Sequence, residues 1–210
     1  MPMQTETSDG CRWSDEEAME RVASEDDAQA FTFLVHRWRG AIERLCMRML
    51  GDATGAQDAA QDVFLRLYIR RSDFDPERGR FSSFLWRMAL NRCYDELRRR
   101  RANGEHEKRA LELMQAVPGR DPTLKAVMCS EEGVLVRRAL SGLPEHYRAV
   151  LVLRHYQGMK FREIAEILEV PEGTVCSRMA EGLHLLALEL STLREHARDG
   201  EGGTDAGKRV

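Results

Sequence analysis

The residues best equipped for chemistry in this 210-residue chain carry charge or paired hydrogen-bonding groups, and none forms a reactive pair. Asp58, Gln61 and Asp62 fall within little more than one helical turn, so two carboxylates and an amide share one face and suit basic groups on a partner helix. Asn91 presents donors and acceptors together, as a base edge requires, and it is flanked by Arg87, Arg92 and the run Arg98 to Arg101, which suits phosphates. Further on, Thr174, Ser177 and Arg178 open a segment with Lys160 and Arg162 just ahead of it. This is the chemistry of recognition. The six histidines pair with no carboxylate or thiol at metal-ligand spacing, and the five cysteines are scattered without CxxC. We therefore expect no enzyme, no metal and no cofactor.

Charge distribution says more than charge total. The net charge is only −3, yet residues 1–30 carry nine acids against two bases, whereas Phe81 to Arg109 carries eight bases against four acids. No stretch approaches the roughly 18 apolar residues of a membrane span, and the polar start lacks a secretory signal, so a cytoplasmic protein without membrane insertion is expected.

Helical periodicity dominates the elements that must position these groups. Phe31, Leu34, Val35, Trp38, Ile42, Leu45, Cys46, Met49 and Leu50 form one stripe ending at Gly51. Thr54 and Gln57 have capping-box spacing ahead of a second helix that buries Ala56, Ala60, Val63, Phe64, Leu67 and Tyr68. Asp75-Pro76 and Gly79 break the chain before a third helix starting near Ser82. Its Phe84 is expected in the core, while Phe81 and Trp86 suit either core or base contact. The stripe fades between Ala102 and Val127, and returns from Ser130 as an N-cap to Gly142. FREIAEILEVPEGTVCSRM then has the spacing of a helix-turn-helix, with Ile164, Ala165 and Leu168 facing Val175 and Met179. No period-two stretch appears, so an all-α fold of two small helical domains on a flexible linker is expected.

Three strings in order, DAAQDVFLRLY, FDPERGRFSSFLWRMALNRCYDELRRRR and LPEHYRAVLVLRHYQGMKFREIAEILEVPEGTVCSR, give the chain a strong resemblance to bacterial RNA polymerase sigma factors of the extracytoplasmic-function (ECF) group. Charge and composition mark an acidic segment at 1–27 and a disordered tail at 196–210, and the resemblance implies region 2 at 28–102, a linker at 103–128 and region 4 at 129–195. It implies that Asp58, Gln61 and Asp62 dock on the clamp helices of the largest subunit of the polymerase core enzyme. It places Arg78, Phe81, Trp86, Arg87, Asn91, Arg92, Arg98 and Arg99 at the opened −10 element of promoter DNA, and Lys160, Arg162, Thr174, Ser177 and Arg178 at the −35 duplex. An anti-sigma factor is a further partner that the family suggests, for which the leucine-rich stretch Leu183 to Leu193 is a candidate surface.

The resemblance weakens in the recognition helix. From Gly173 to Leu190 the only full positive charge is Arg178, against Glu181 and Glu189, where the family usually carries arginine-rich sequence. Altered −35 readout is expected rather than lost readout, because a glutamate can accept from cytosine. Two alternatives remain at this point: a helix-turn-helix regulator acting without polymerase core, and a degenerate sigma that sequesters a partner.

Overall fold

The computed structural model describes residues 13–103 and 131–201, and every regular element among them is helical. The expected linker falls almost wholly outside them.

Helix α1 (Asp15–Glu25) starts at a capping box in which Ser14 accepts from the Glu17 N–H and Glu17 returns the bond to the Ser14 N–H. Such a cap stabilises a helix start by about 1 kcal/mol. The acidic N-terminal segment thus contains a folded element: Ala18, Met19 and Val22 are fully buried. Helix α2 (Ala28–Leu50) is capped by Asp27 and closed by Gly51, whose φ of 80° is the left-handed conformation that glycine adopts without strain. Helix α3 (Ala53–Ile69) is capped by Asp52, whose carboxylate accepts from the Gly55 N–H. The expected Thr54–Gln57 box does not form, because the stronger cap lies two residues earlier. Helix α4 (Phe81–Ala102) completes region 2.

Helix α5 (Glu131–Gly142) opens region 4, followed by α6 (Glu145–Leu151), which runs into a widened turn at Val152–Tyr156. Helices α7 (Phe161–Leu168) and α8 (Glu172–Glu201) form the helix-turn-helix. Helix α8 runs to Glu201, and its apolar side chains pack inward as far as Leu193, which is 9 % exposed.

The two regions pack on each other. Arg148 of α6, 2 % exposed, reaches across to the Met49 carbonyl at the end of α2 and also donates to the carbonyls of Ser141 and Leu143. Burial pulls its guanidinium down to about 10. A buried arginine whose two Nη groups both meet backbone carbonyls is a strong tie, since losing those acceptors would strand a charge in the interior. Arg48 lies over the Tyr156 ring at 3.8 Å, Arg101 pairs with Glu145, and Arg87 reaches the end of α7.

Candidate functional site

On α3, Asp58 and Gln61 are exposed, as a docking face requires. Asp62 is more committed: its carboxylate takes Arg92 at 2.5 Å and Arg66 at 3.0 Å. On the same face, one and two turns further along, Leu65 and Ile69 are 57 % and 63 % exposed. The helical pattern 58, 62, 65, 69 is the three-and-four spacing by which one helix packs against another. That spacing was the available signal for Leu65 and Ile69, which the sequence reading did not single out.

The turn before α4 is built by Asp75, whose side chain accepts from the Glu77 N–H, and by Phe74, whose ring packs on Phe81 and Phe84. The first N–H of α4, that of Phe81, donates to the Glu16 carboxylate of α1 at 3.1 Å. Two expected base contacts are corrected here. Phe81 is fully buried and Trp86 is 5 % exposed, both edge-on to Trp38 of α2, so neither offers a face to a base in this arrangement. Their positions are on the inward face of α4. The partly exposed aromatic is Phe84, which was expected inside. It lines a groove with Phe74, Arg78, Ser83 and Arg87, closed on the far side by Glu166 and Glu169 from region 4.

Asn91 is exposed on α4, as are Arg98 and Arg99. Arg92 faces inward and holds Asp62 and Glu96. Arg100 is 4 % exposed and structural, bonded to Glu96, Asp52 and the Leu50 carbonyl. Glu96 is the hub: Arg99, Arg100 and Arg92 bond to its carboxylate and hold it at about 2, against the opposing effect of burial. The arginine run is therefore divided between the exposed Arg98 and Arg99, the buried Arg100, and Arg101 paired with region 4.

In the helix-turn-helix, Lys160 and Arg162 are exposed, and the Arg162 side chain is 84 % exposed beside Glu166. Val175 and Met179 face inward as expected. The outward face of α8 carries Cys176, Ser177, Ala180 and Glu181, with Thr174 half-buried at its edge. Ser177 donates to the Gly173 carbonyl at 2.6 Å. Arg178 is half-buried on the side toward α4. Burial pushes the Tyr94 phenol up to about 12, and the Arg178 charge acts on it in the opposite direction. Among the described residues, the outward face of the first turns of α8 thus carries no arginine. Among the described residues no group of histidines, cysteines and carboxylates is placed to hold a metal ion, and no helix is long and apolar enough to cross a membrane.

Comparison with known proteins matches this geometry. Residues 34–103 match the family model for sigma-70 region 2, and residues 134–186 that for sigma-70 region 4. The chain is 34 % identical over 173 residues to the ECF RNA polymerase sigma factor SigW of Bacillus subtilis, covering 80 % of this chain and 92 % of that one. It is 30 % identical over 190 residues to the RNA polymerase sigma-H factor of Pseudomonas aeruginosa, covering 87 % and 97 %. Two solved structures share the fold. CnrH in complex with the cytosolic domain of CnrY gives a TM-score of 0.60 at 24 % identity, covering 85 % of this chain and 97 % of that one. The sigma factor RpoE in complex with the anti-sigma factor NepR from Bartonella quintana gives 0.58 at 18 % identity, covering 78 % and 98 %. The two region models matched in chain order, with a curated ECF relative 34 % identical over 80 % of this chain and 92 % of its own, place the chain in the ECF group of RNA polymerase sigma factors.

Proposed function

We propose that this sigma factor loads onto polymerase core through the α3 stripe of Asp58, Gln61, Asp62, Leu65 and Ile69. The observation that carries the reading is the exposure of Leu65 and Ile69, because the fold leaves two large aliphatic side chains in water on the face that also holds the acids. Carboxylates at one end steer a basic partner helix and aliphatics at the other add contact area, which together define an oriented helix-on-helix dock. Asp58, fully outward, steers; Asp62, tied to Arg66 and Arg92, also braces α3 against α4.

The opened −10 strand is then taken by the groove at Phe84 and Arg78, with Asn91 on a base edge and Arg98 and Arg99 on phosphates. Arg87 joins them when region 4 is elsewhere. Region 4 reads the −35 duplex with Ser177, Ala180 and Glu181 outward, Thr174 at the edge, and Lys160 and Arg162 toward the backbone. The work is binding, in the cytoplasm, with no reaction of its own. An anti-sigma partner is part of this proposal: the solved RpoE structure holds one, and Leu183 and Leu188 here are 44 % and 59 % exposed.

The test is capture of purified bacterial core polymerase by wild type, Leu65→Glu and Asp58→Arg, with Asn91→Ala scored for promoter opening. Leu65→Glu and Asp58→Arg should each lose core capture by tenfold or more while keeping wild-type helicity, and Asn91→Ala should capture core but open promoters poorly. Capture unaltered by either α3 change would remove the docking assignment. Duplex binding with no core association at all would favour a polymerase-independent regulator.

A further inference from the structure

We infer that Cys46 and Cys93 are an oxidative modification site: a dithiol in the core of region 2 that closes to a reversible disulfide between α2 and α4. Its closure slows promoter opening, a consequence that rests on the reading of Asn91 given above. The observation is the meeting of two thiols. Cys46 comes from α2 and Cys93 from α4, 47 positions apart, and the Cys93 thiol lies 3.7 Å from the Cys46 sulfur, within donor range. Both residues are 0 % exposed. Packing alone asks only for two small apolar side chains at such positions, and two sulfurs in contact add a chemistry that neither the docking stripe nor the DNA-binding residues use.

The co-reactant is a peroxide, small enough to enter a core that excludes a bulky alkylating agent. One thiol gives up its proton and attacks a peroxide oxygen. The O–O bond breaks, the sulfur keeps one oxygen as a sulfenic acid, and the released hydroxide takes the proton as water. The second sulfur then attacks the sulfenic sulfur: the S–S bond forms, the S–O bond breaks, and the departing hydroxide leaves with the second thiol's proton as another water. Two thiols lose two electrons, and the peroxide gains them. Because the resolving sulfur already touches the first, the disulfide is favoured over further oxidation, and excess dithiothreitol reverses it by exchange. The sulfur contact and burial push the Cys93 thiol well up, against the charges of Arg92 and Arg100, so thiolate is scarce and the pair answers sustained rather than brief oxidation.

The new bond draws α4 toward α2 at Cys93. Arg92, the preceding residue, holds Asp62 and Glu96, and Asn91 stands exposed one position before that. A group that recognises its ligand must be held within about 0.5 Å, so a shift of the α4 backbone at Cys93 reaches the base contact. Asp58, Leu65 and Ile69 lie on α3, which the bond does not join, so docking on polymerase core is kept. Neither cysteine belongs to the proposed polymerase or DNA contacts.

The experiment holds the full-length protein with hydrogen peroxide for hours at neutral pH, alkylates it and digests it with trypsin without reductant. Arg44, Arg48, Arg92 and Arg98 place each cysteine on its own short peptide, 45–48 and 93–98, and the two should appear joined, two hydrogens lighter than their sum. Oxidised wild type should melt roughly 5–15 °C higher by circular dichroism, as a cross-link closing a long loop implies. It should capture core as before and open promoters on the order of tenfold more slowly, with dithiothreitol restoring the original melting temperature and rate. Cys46→Ala and Cys93→Ala should show neither response to peroxide, whatever their starting stability. Failure to find the joined peptide would overturn the site. A joined peptide with unchanged opening, or a slowed opening that persists in Cys46→Ala, would overturn its control of opening. Reduced wild type that captures no core defeats the sigma docking instead, and the joined peptide and the melting temperature then still decide the disulfide.

Discussion

Replacing Glu96 by glutamine should weaken region 2 by about 2 kcal/mol at neutral pH, and the loss should fade in acid. Glu96 takes Arg99 at 2.7 Å and 3.1 Å, Arg100 at 2.9 Å and Arg92 at 3.3 Å, with its side chain 8 % exposed. Folded, the carboxyl titrates at about 2, against 4.5 as an unperturbed group. At 1.36 kcal/mol per pH unit, that gap corresponds to a ceiling of roughly 3.4 kcal/mol. Arg99 is 58 % exposed, so water screens part of the attraction and about 2 kcal/mol is the working figure. The neutral amide keeps the shape but leaves the buried Arg100 relying on Asp52 at 2.8 Å and the Leu50 carbonyl. Because the folded group binds its proton more weakly than the unfolded one, its stabilisation is complete above pH 4.5 and drains as pH falls toward 2. Urea unfolding of wild type and Glu96→Gln, followed by circular dichroism, should show a gap that narrows by roughly half near pH 3. A variant within 0.5 kcal/mol of wild type at pH 7, a threshold of about the ordinary surface-mutation scatter, would refute the hub. A gap that is the same at pH 7 and in acid would refute the electrostatic cause.

Glu181→Ala should relax base preference at one −35 position by about 1–3 kcal/mol in a randomised promoter selection with core polymerase, the wild type preferring cytosine on the contacted strand. An unchanged preference would take Glu181 out of the readout. Cys176 is exposed whereas Cys46 and Cys93 are buried, their sulfurs 3.7 Å apart and the Cys93 thiol pushed well up by that contact and by burial. Brief alkylation at neutral pH followed by peptide mass spectrometry should therefore modify Cys176 and spare Cys46 and Cys93, and −35 duplex in the polymerase complex should protect Cys176. Fast modification of Cys46 would mean that region 2 opens more readily than its packing implies.

What was legible in the sequence was periodicity, and what was not was the choice among residues that periodicity leaves equivalent. The stripes of α2 and α3 and the helix-turn-helix could be read because each apolar set recurs at three and four. Phe81, Phe84 and Trp86 could not be sorted that way: all three suit an aromatic helix, and only Trp38, brought in from α2, decides that Phe81 and Trp86 go inside. Four consecutive arginines read as one basic run, yet a helix turns each by 100°, so Arg100 faces Glu96 and Asp52 while Arg98 and Arg99 face water. Arg148 gave no signal at all, since its acceptors are backbone carbonyls that any sequence supplies. At the start of α3, Asp52 served as cap in place of the Thr54 pattern because it is the acid immediately before the first helical residue.

The bond from the Phe81 N–H to Glu16 joins residues 65 positions apart, and its acidic end precedes the segment that matches region 2. The turn expected to grasp a melted strand is therefore braced by a splint from the chain's opening stretch. A fragment trimmed to the matched borders would keep Asn91 and the arginines but lose that splint, together with Ala18, Met19 and Val22 from beneath it. Drift in those early acids would be felt far downstream, as a change in how firmly the strand-holding turn is set.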